Sequence, residues 1–187
     1  MKLILAMLIT CASCLAAGGE RFDFDSQVGV VDANAEGRLC LNILNSHLAD
    51  GAELSFILTD KPQRVIKASV EGKADANCSR NPEASDPNTS FYWIKLAGDK
   101  RALKQGEPLP PAIAVVGSAG AVSIKHGVAS GDLDGDGRAE YFRLCTSTEG
   151  DHLTVWTGRP LLGKRRWHFY YYLGYDVVPN CRKKDYQ

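Results

Sequence analysis

No stretch of this chain carries a sustained apolar stripe at helical spacing, and that absence constrains the fold more than any motif. Apolar and β-branched residues instead fall in short runs closed by turn residues, the signature of strands. Arg38 to Leu44, Glu53 to Thr59 and Gln63 to Val70 read as strands, the second opening after Asp50-Gly51 and the third ending at Glu71-Gly72. Further strands are expected at Ser90 to Leu96, Ala112 to Gly117, Val122 to His126, Tyr141 to Thr146, His152 to Thr157 and Trp167 to Leu173. The polar stretch Lys73 to Asn88 reads as a loop tethered by Cys78, and Asp99 to Pro111 as a linker holding a short helical turn near Lys100 to Lys104. The expected class is all-β: a compact disulfide-bonded sandwich or small barrel units.

The N-terminus sets the expected compartment. Met1 and Lys2 precede an apolar run and then the small residues Ala16 to Gly19, the layout of a secretory signal peptide over 1–19. The run is short for a membrane span. Lipidation at Cys11 or Cys14 is the alternative, but neither has the expected upstream pattern. An exported mature chain would then divide into an N-terminal β unit (20–88) and a C-terminal one (89–187), or form one continuous domain. Its cysteines are Cys40, Cys78, Cys145 and Cys181. An even number in an exported chain implies two disulfides, with three connectivities open.

The halves echo each other. Arg38-Leu39-Cys40 matches Arg143-Leu144-Cys145, His-Leu follows each at 47 and 152, and each half closes on Asn-Cys, at Asn77-Cys78 and Asn180-Cys181. Asp32 to Gly37 faintly mirrors the acidic loop described next. If the halves arose by duplication, the pairs are Cys40–Cys78 and Cys145–Cys181. Each would close a loop of nearly forty residues, worth about 4 kcal/mol in the chain-entropy account. With 22 basic and 22 acidic side chains, no field that would steer nucleic acid or a membrane is expected.

Asp132-Leu133-Asp134-Gly135-Asp136-Gly137-Arg138-Ala139-Glu140 is the strongest chemical signal. Alternation turns Asp132, Asp134 and Asp136 to one side. Gly137 falls at the sixth position, where a calcium loop bends sharply, Arg138 offers its carbonyl at the seventh, and Glu140 at the ninth binds directly or through water. Packing four carboxylates so closely is costly unless a cation neutralises them. The expected ion is Ca2+, which extracellular modules bind at millimolar levels. The loop resembles the calcium loop of FG-GAP/VCBS-type repeats, with Tyr141 to Leu144 as the strand that follows. The resemblance covers about a dozen residues. It implies no propeller, because only one such loop is present and a propeller needs about four blades or more. An EF-hand fits less well, since its twelfth position wants glutamate and Arg143 stands there.

The remaining candidates are weaker. In the aromatic run Lys164 to Tyr175, strand alternation sets Trp167, Phe169, Tyr171 and Leu173 on a core face and His168, Tyr170 and Tyr172 on the other. That second row is the candidate ligand surface for a protein or carbohydrate. His47, His126, His152 and His168 show no paired metal spacing, and Ser118 does not make a nucleophile elbow. Glu149-Gly150-Asp151-His152 reads as a polar hairpin turn. The preferred function is a binding module without catalysis; a small secreted hydrolase with a structural calcium is the alternative, and an inhibitor or immunity-type partner a third. His152, His168 and the Glu149 and Asp151 carboxylates in one cleft would favour the enzyme. An exposed row of Tyr170 and Tyr172 would favour binding.

Overall fold

The segment Val28–Ala33 is buried along its whole length, a pattern expected of a strand covered on both faces. The computed structural model describes residues 22–33, 36–58, 65–79, 86–98, 109, 112–117, 119–120, 122–125, 128–147, 151–157, 164–171 and 181. Six of its strands are β1 (Val28–Ala33), β2 (Leu39–Leu44), β3 (Glu53–Leu58), β4 (Val65–Ala74), β5 (Thr89–Leu96) and β6 (Ala112–Val116). They close into an antiparallel barrel in the order β1-β2-β5-β4-β3-β6. The barrel therefore draws on residues either side of position 88. Five more strands, β7 (Ser123–Lys125), β8 (Val128–Gly131), β9 (Glu140–Thr146), β10 (Asp151–Thr157) and β11 (Lys164–Tyr171), form an open antiparallel sheet in chain order. Among the described residues the protein is all-β apart from a one-turn helix, α1 (Phe24–Gln27), and a short 3-10 turn, Ala76–Cys78. No propeller is present among the described residues.

Strand alternation builds two cores. Val31, Leu41, Leu54, Phe56, Ile94 and Ala114 point into the barrel. Their neighbours Val30, Ile57, Ile113 and Val115 point outward and meet Leu133 of the β8–β9 loop and Phe142, Leu153, Val155 and Phe169 of the open sheet. Adjacent strands β3, β6 and β1 thus form the barrel wall that carries the second sheet. Helix α1 closes one margin of this contact: Phe24 stacks on Trp167 at 6.0 Å, and the Trp167 indole N–H donates to the Asp25 carboxylate.

Three strands depart from expectation: β8 (Val128–Gly131) falls where no strand was expected, and β1 and β4 differ as follows. β1 was not foreseen, because Gly29 and Asp32 interrupt its apolar pattern. Gly29 is required by close approach: a Cβ there would meet the Asn42 carbonyl oxygen at 2.5 Å and Leu41 Cδ1 at 2.7 Å. Asp32 is buried in the strand, where its Oδ1 accepts the Ala33 N–H at 2.7 Å. β4 runs on to Ala74 instead of turning at Glu71-Gly72. Its pairing with β5 shifts register between Val70 and Gly72, so that dipeptide is a bulge within the strand. The expected leader 1–19 and the helical turn at 100–104 lie outside the described residues.

Both disulfides form, Cys40–Cys78 and Cys145–Cys181. Cys40 leaves the outside of β2 and packs with Cys78 and Phe91 in a small third cluster. Arg38 lies over the Trp93 ring beside it, 3.9 Å from the centroid. The two halves that share this cysteine pattern differ in form: Cys40 belongs to the closed barrel and Cys145 to the open sheet.

Candidate functional site

The acidic loop joins β8 to β9 and is anchored from beneath. Leu133 is almost fully buried in the core shared by barrel and sheet. Glu140, 2% exposed, lies under the loop, and its Oε2 accepts the Leu133 N–H at 2.8 Å. On the other side, Gly120 N–H donates to the Asp132 carbonyl at 2.8 Å. Apolar burial of one loop residue therefore fixes where the flanking aspartates stand.

Above this anchor the aspartates organise the turn. Asp132 Oδ2 accepts from Gly137 N–H at 2.9 Å, Asp134 Oδ1 from Asp136 N–H at 3.2 Å, and Asp136 Oδ1 from Arg138 N–H at 2.8 Å. Gly135 and Gly137 take φ of +73° and +83°, the left-handed region that favours glycine. Asp132, Asp134 and Asp136 each present a carboxylate oxygen within 4.8 Å of the others, a group that could hold a metal ion. Asp132 Oδ1 is buried and has no hydrogen-bond partner. Such an orphaned acceptor ordinarily costs about 1–3 kcal/mol. Arg138 and Ala139 are exposed at the rim.

A second cluster lies on the face of the open sheet turned away from the barrel. His152 on β10 is 7% exposed. It pairs with Cys145 on β9 and Tyr170 on β11, while His168 pairs with Thr154. His168 is thus a diagonal neighbour of His152, within reach of a long side chain. The rings stack at 5.2 Å, and His152 Nδ1 lies 2.9 Å from His168 Nε2. Ser147, just beyond β9, places its Oγ 3.0 Å from His152 Nε2. Burial holds the His168 pKa below its ordinary value, with smaller contributions from His152 and Arg165.

The structure therefore brings Asp132, Asp134 and Asp136 together, and separately His152 and His168. Tyr172 and Glu149 lie outside the described residues, and Tyr170 is placed by its backbone register alone. Ser147 was missed by sequence reasoning. It sits in no motif, and only the register of β9 against β10 carries it to His152. Among the described residues no helix is long and apolar enough to cross a membrane. Compared with protein-family models, curated proteins and solved structures, the chain matches none.

Proposed function

We propose that this protein is an exported β domain that binds one calcium ion in an FG-GAP/VCBS-type loop and acts as a binding module for a protein or carbohydrate. The observation that carries the reading is the buried, unpartnered Asp132 Oδ1 within a set of three carboxylates. Calcium–oxygen bonds of about 2.3–2.6 Å put any two ligands of one ion within about 5.2 Å of each other. The 4.8 Å limit on the three carboxylates satisfies that condition. A hard cation with all-oxygen ligands suits this donor set better than a transition metal, since neither imidazole nor thiolate belongs to the group.

In this reading Asp132, Asp134, Asp136 and the Arg138 carbonyl hold the ion, and Glu140 supports the loop through the Leu133 amide. The two disulfides support an oxidising destination. The ligand surface is the outer face of β11 around His168. Calorimetric titration of the protein with calcium should give one site, lost in Asp134→Ala; an unchanged titration refutes the loop as the site. Pull-down from the native exported fraction tests the binding role. A specific partner released by chelator supports it, and no retained partner with or without calcium refutes it.

A further inference from the structure

The Ser147–His152–His168 cluster has the grammar of an activated nucleophile, and it stands apart from the calcium loop. A nucleophilic hydroxyl needs a base within hydrogen-bond reach, and the base needs a third group to fix its tautomer. Both contacts are present: Ser147 Oγ to His152 Nε2 at 3.0 Å, and His152 Nδ1 to His168 Nε2 at 2.9 Å. His152 is held nearly buried between β9 and β11, while Ser147 is partly exposed at the end of its strand.

We propose that Ser147 is a nucleophile, His152 its general base and His168 the positioning residue of an esterase site that transfers acyl groups from small esters to water. This goes beyond the binding role and does not depend on calcium. Two tautomer sets satisfy the pair of contacts. Catalysis uses the one in which the Ser147 hydroxyl donates to His152 Nε2 and His152 Nδ1–H donates to His168 Nε2.

From that state, Ser147 Oγ forms a bond to the acyl carbon as its proton passes to His152 Nε2. The bond from acyl carbon to the leaving alkoxide oxygen then breaks, and the proton goes from His152 to the departing alcohol. Water attacks the acyl-serine, gives a proton to His152 and releases the carboxylic acid as Ser147 regains its proton. No oxidation or reduction occurs. The cycle consumes one ester and one water.

The third group also narrows the substrate class. A carboxylate in that place would stabilise the developing imidazolium by charge. His168 is held toward its neutral form by burial, so it fixes the tautomer but offers no opposite charge. A base supported in this way suits esters with good leaving groups better than amides.

The test uses a fluorophosphonate probe on the intact disulfide-bonded protein, read by mass spectrometry and peptide mapping. Ser147 Oγ would displace fluoride from phosphorus, giving one adduct per chain at Ser147. The adduct should vanish in Ser147→Ala and slow about a hundredfold or more in His152→Gln, in line with general-base contributions. His168→Gln, which keeps an acceptor, should retain most of the rate. His168→Leu should lose it and shift the pH–rate profile, an effect that packing alone would not produce. Circular dichroism confirms that each variant is folded. No adduct on the native protein, while a control serine esterase labels fully, overturns the proposal, as does an adduct at any other residue.

Discussion

Substituting Asp134 by Asn should make the protein more stable than native in chelator and abolish its response to calcium, so that added calcium closes the gap between the two. The carboxylates of Asp132, Asp134 and Asp136 present oxygens within 4.8 Å of one another. At that separation each charge pair repels by about 0.9 kcal/mol in water and about 3.5 kcal/mol at an effective dielectric of 20. Asp136 is exposed and the other two partly so, so solvent and salt hold the value near the lower figure, about 1 kcal/mol per pair. Asp134 belongs to two pairs. Asp134→Asn therefore relieves about 1–2 kcal/mol in chelator, and it keeps an oxygen to accept the Asp136 N–H. Calcium acts in the opposite direction on the native protein. For an extracellular-type site of about 0.1–1 mM affinity, 5 mM ion contributes about 1–2 kcal/mol. At about 2–4 °C per kcal/mol for a chain of this size, native Tm should rise by several degrees on adding calcium. The variant should melt higher than native in EDTA and stay flat as calcium is added. Differential scanning calorimetry reads both arms. A native Tm indifferent to calcium, or a variant that gains as much as native, would refute the reasoning.

Gly29→Ala places a methyl against the Asn42 carbonyl and the Leu41 and Ile43 side chains. Because one obstacle is backbone, β1 and β2 must part, and urea denaturation should show a loss of about 1–3 kcal/mol; an unchanged midpoint would mean that β1 shifts freely. His168 supplies the pH dependence. Its folded pKa lies below the ordinary 6.5, so just below that pH the unfolded chain binds more protons than the folded one. Its contribution to stability is complete above pH 6.5 and is lost as pH falls from there through the folded pKa. His168→Gln should flatten that part of the stability–pH curve, and a curve identical to native would exclude His168 as its source.

The features legible in the sequence are those written in local spacing. The convergence of three carboxylates was readable because Asp132, Asp134 and Asp136 act within one turn, and Gly137 there takes a positive φ. Most strands were readable for the same reason. β1 was not: burial on both faces removes the polar–apolar alternation that marks a half-exposed strand, and Gly29 counts against a strand until its neighbour Asn42 is seen. The pairing Cys40–Cys78 and Cys145–Cys181 followed only on the assumption of duplication, since spacing alone leaves three choices. Ser147, His152 and His168 lay furthest from view. Their meeting depends on the register of two hairpins, and register is a property of pairing between strands.

β9 links the two sites, and its length determines how they can influence each other. Its first residue, Glu140, lies beneath the aspartate loop, and Ser147 follows its last residue, Thr146. At about 3.4 Å per residue the strand separates them by roughly 24 Å, beyond a Debye length at physiological salt. A charge held in the loop therefore acts only weakly on the Ser147 cluster at that distance. What remains is mechanical. Leu133 and Phe142 enter the same core, and Glu140 ties the loop amide to the start of β9, so ordering the loop pins one end of the strand. Cys145, paired across from His152 and bonded to Cys181, restrains the other end. A cation bound in the loop would then alter the outer face mainly by changing how often β9 detaches from the sheet. Its effect on that face scales with its effect on stability, not with the charge it carries.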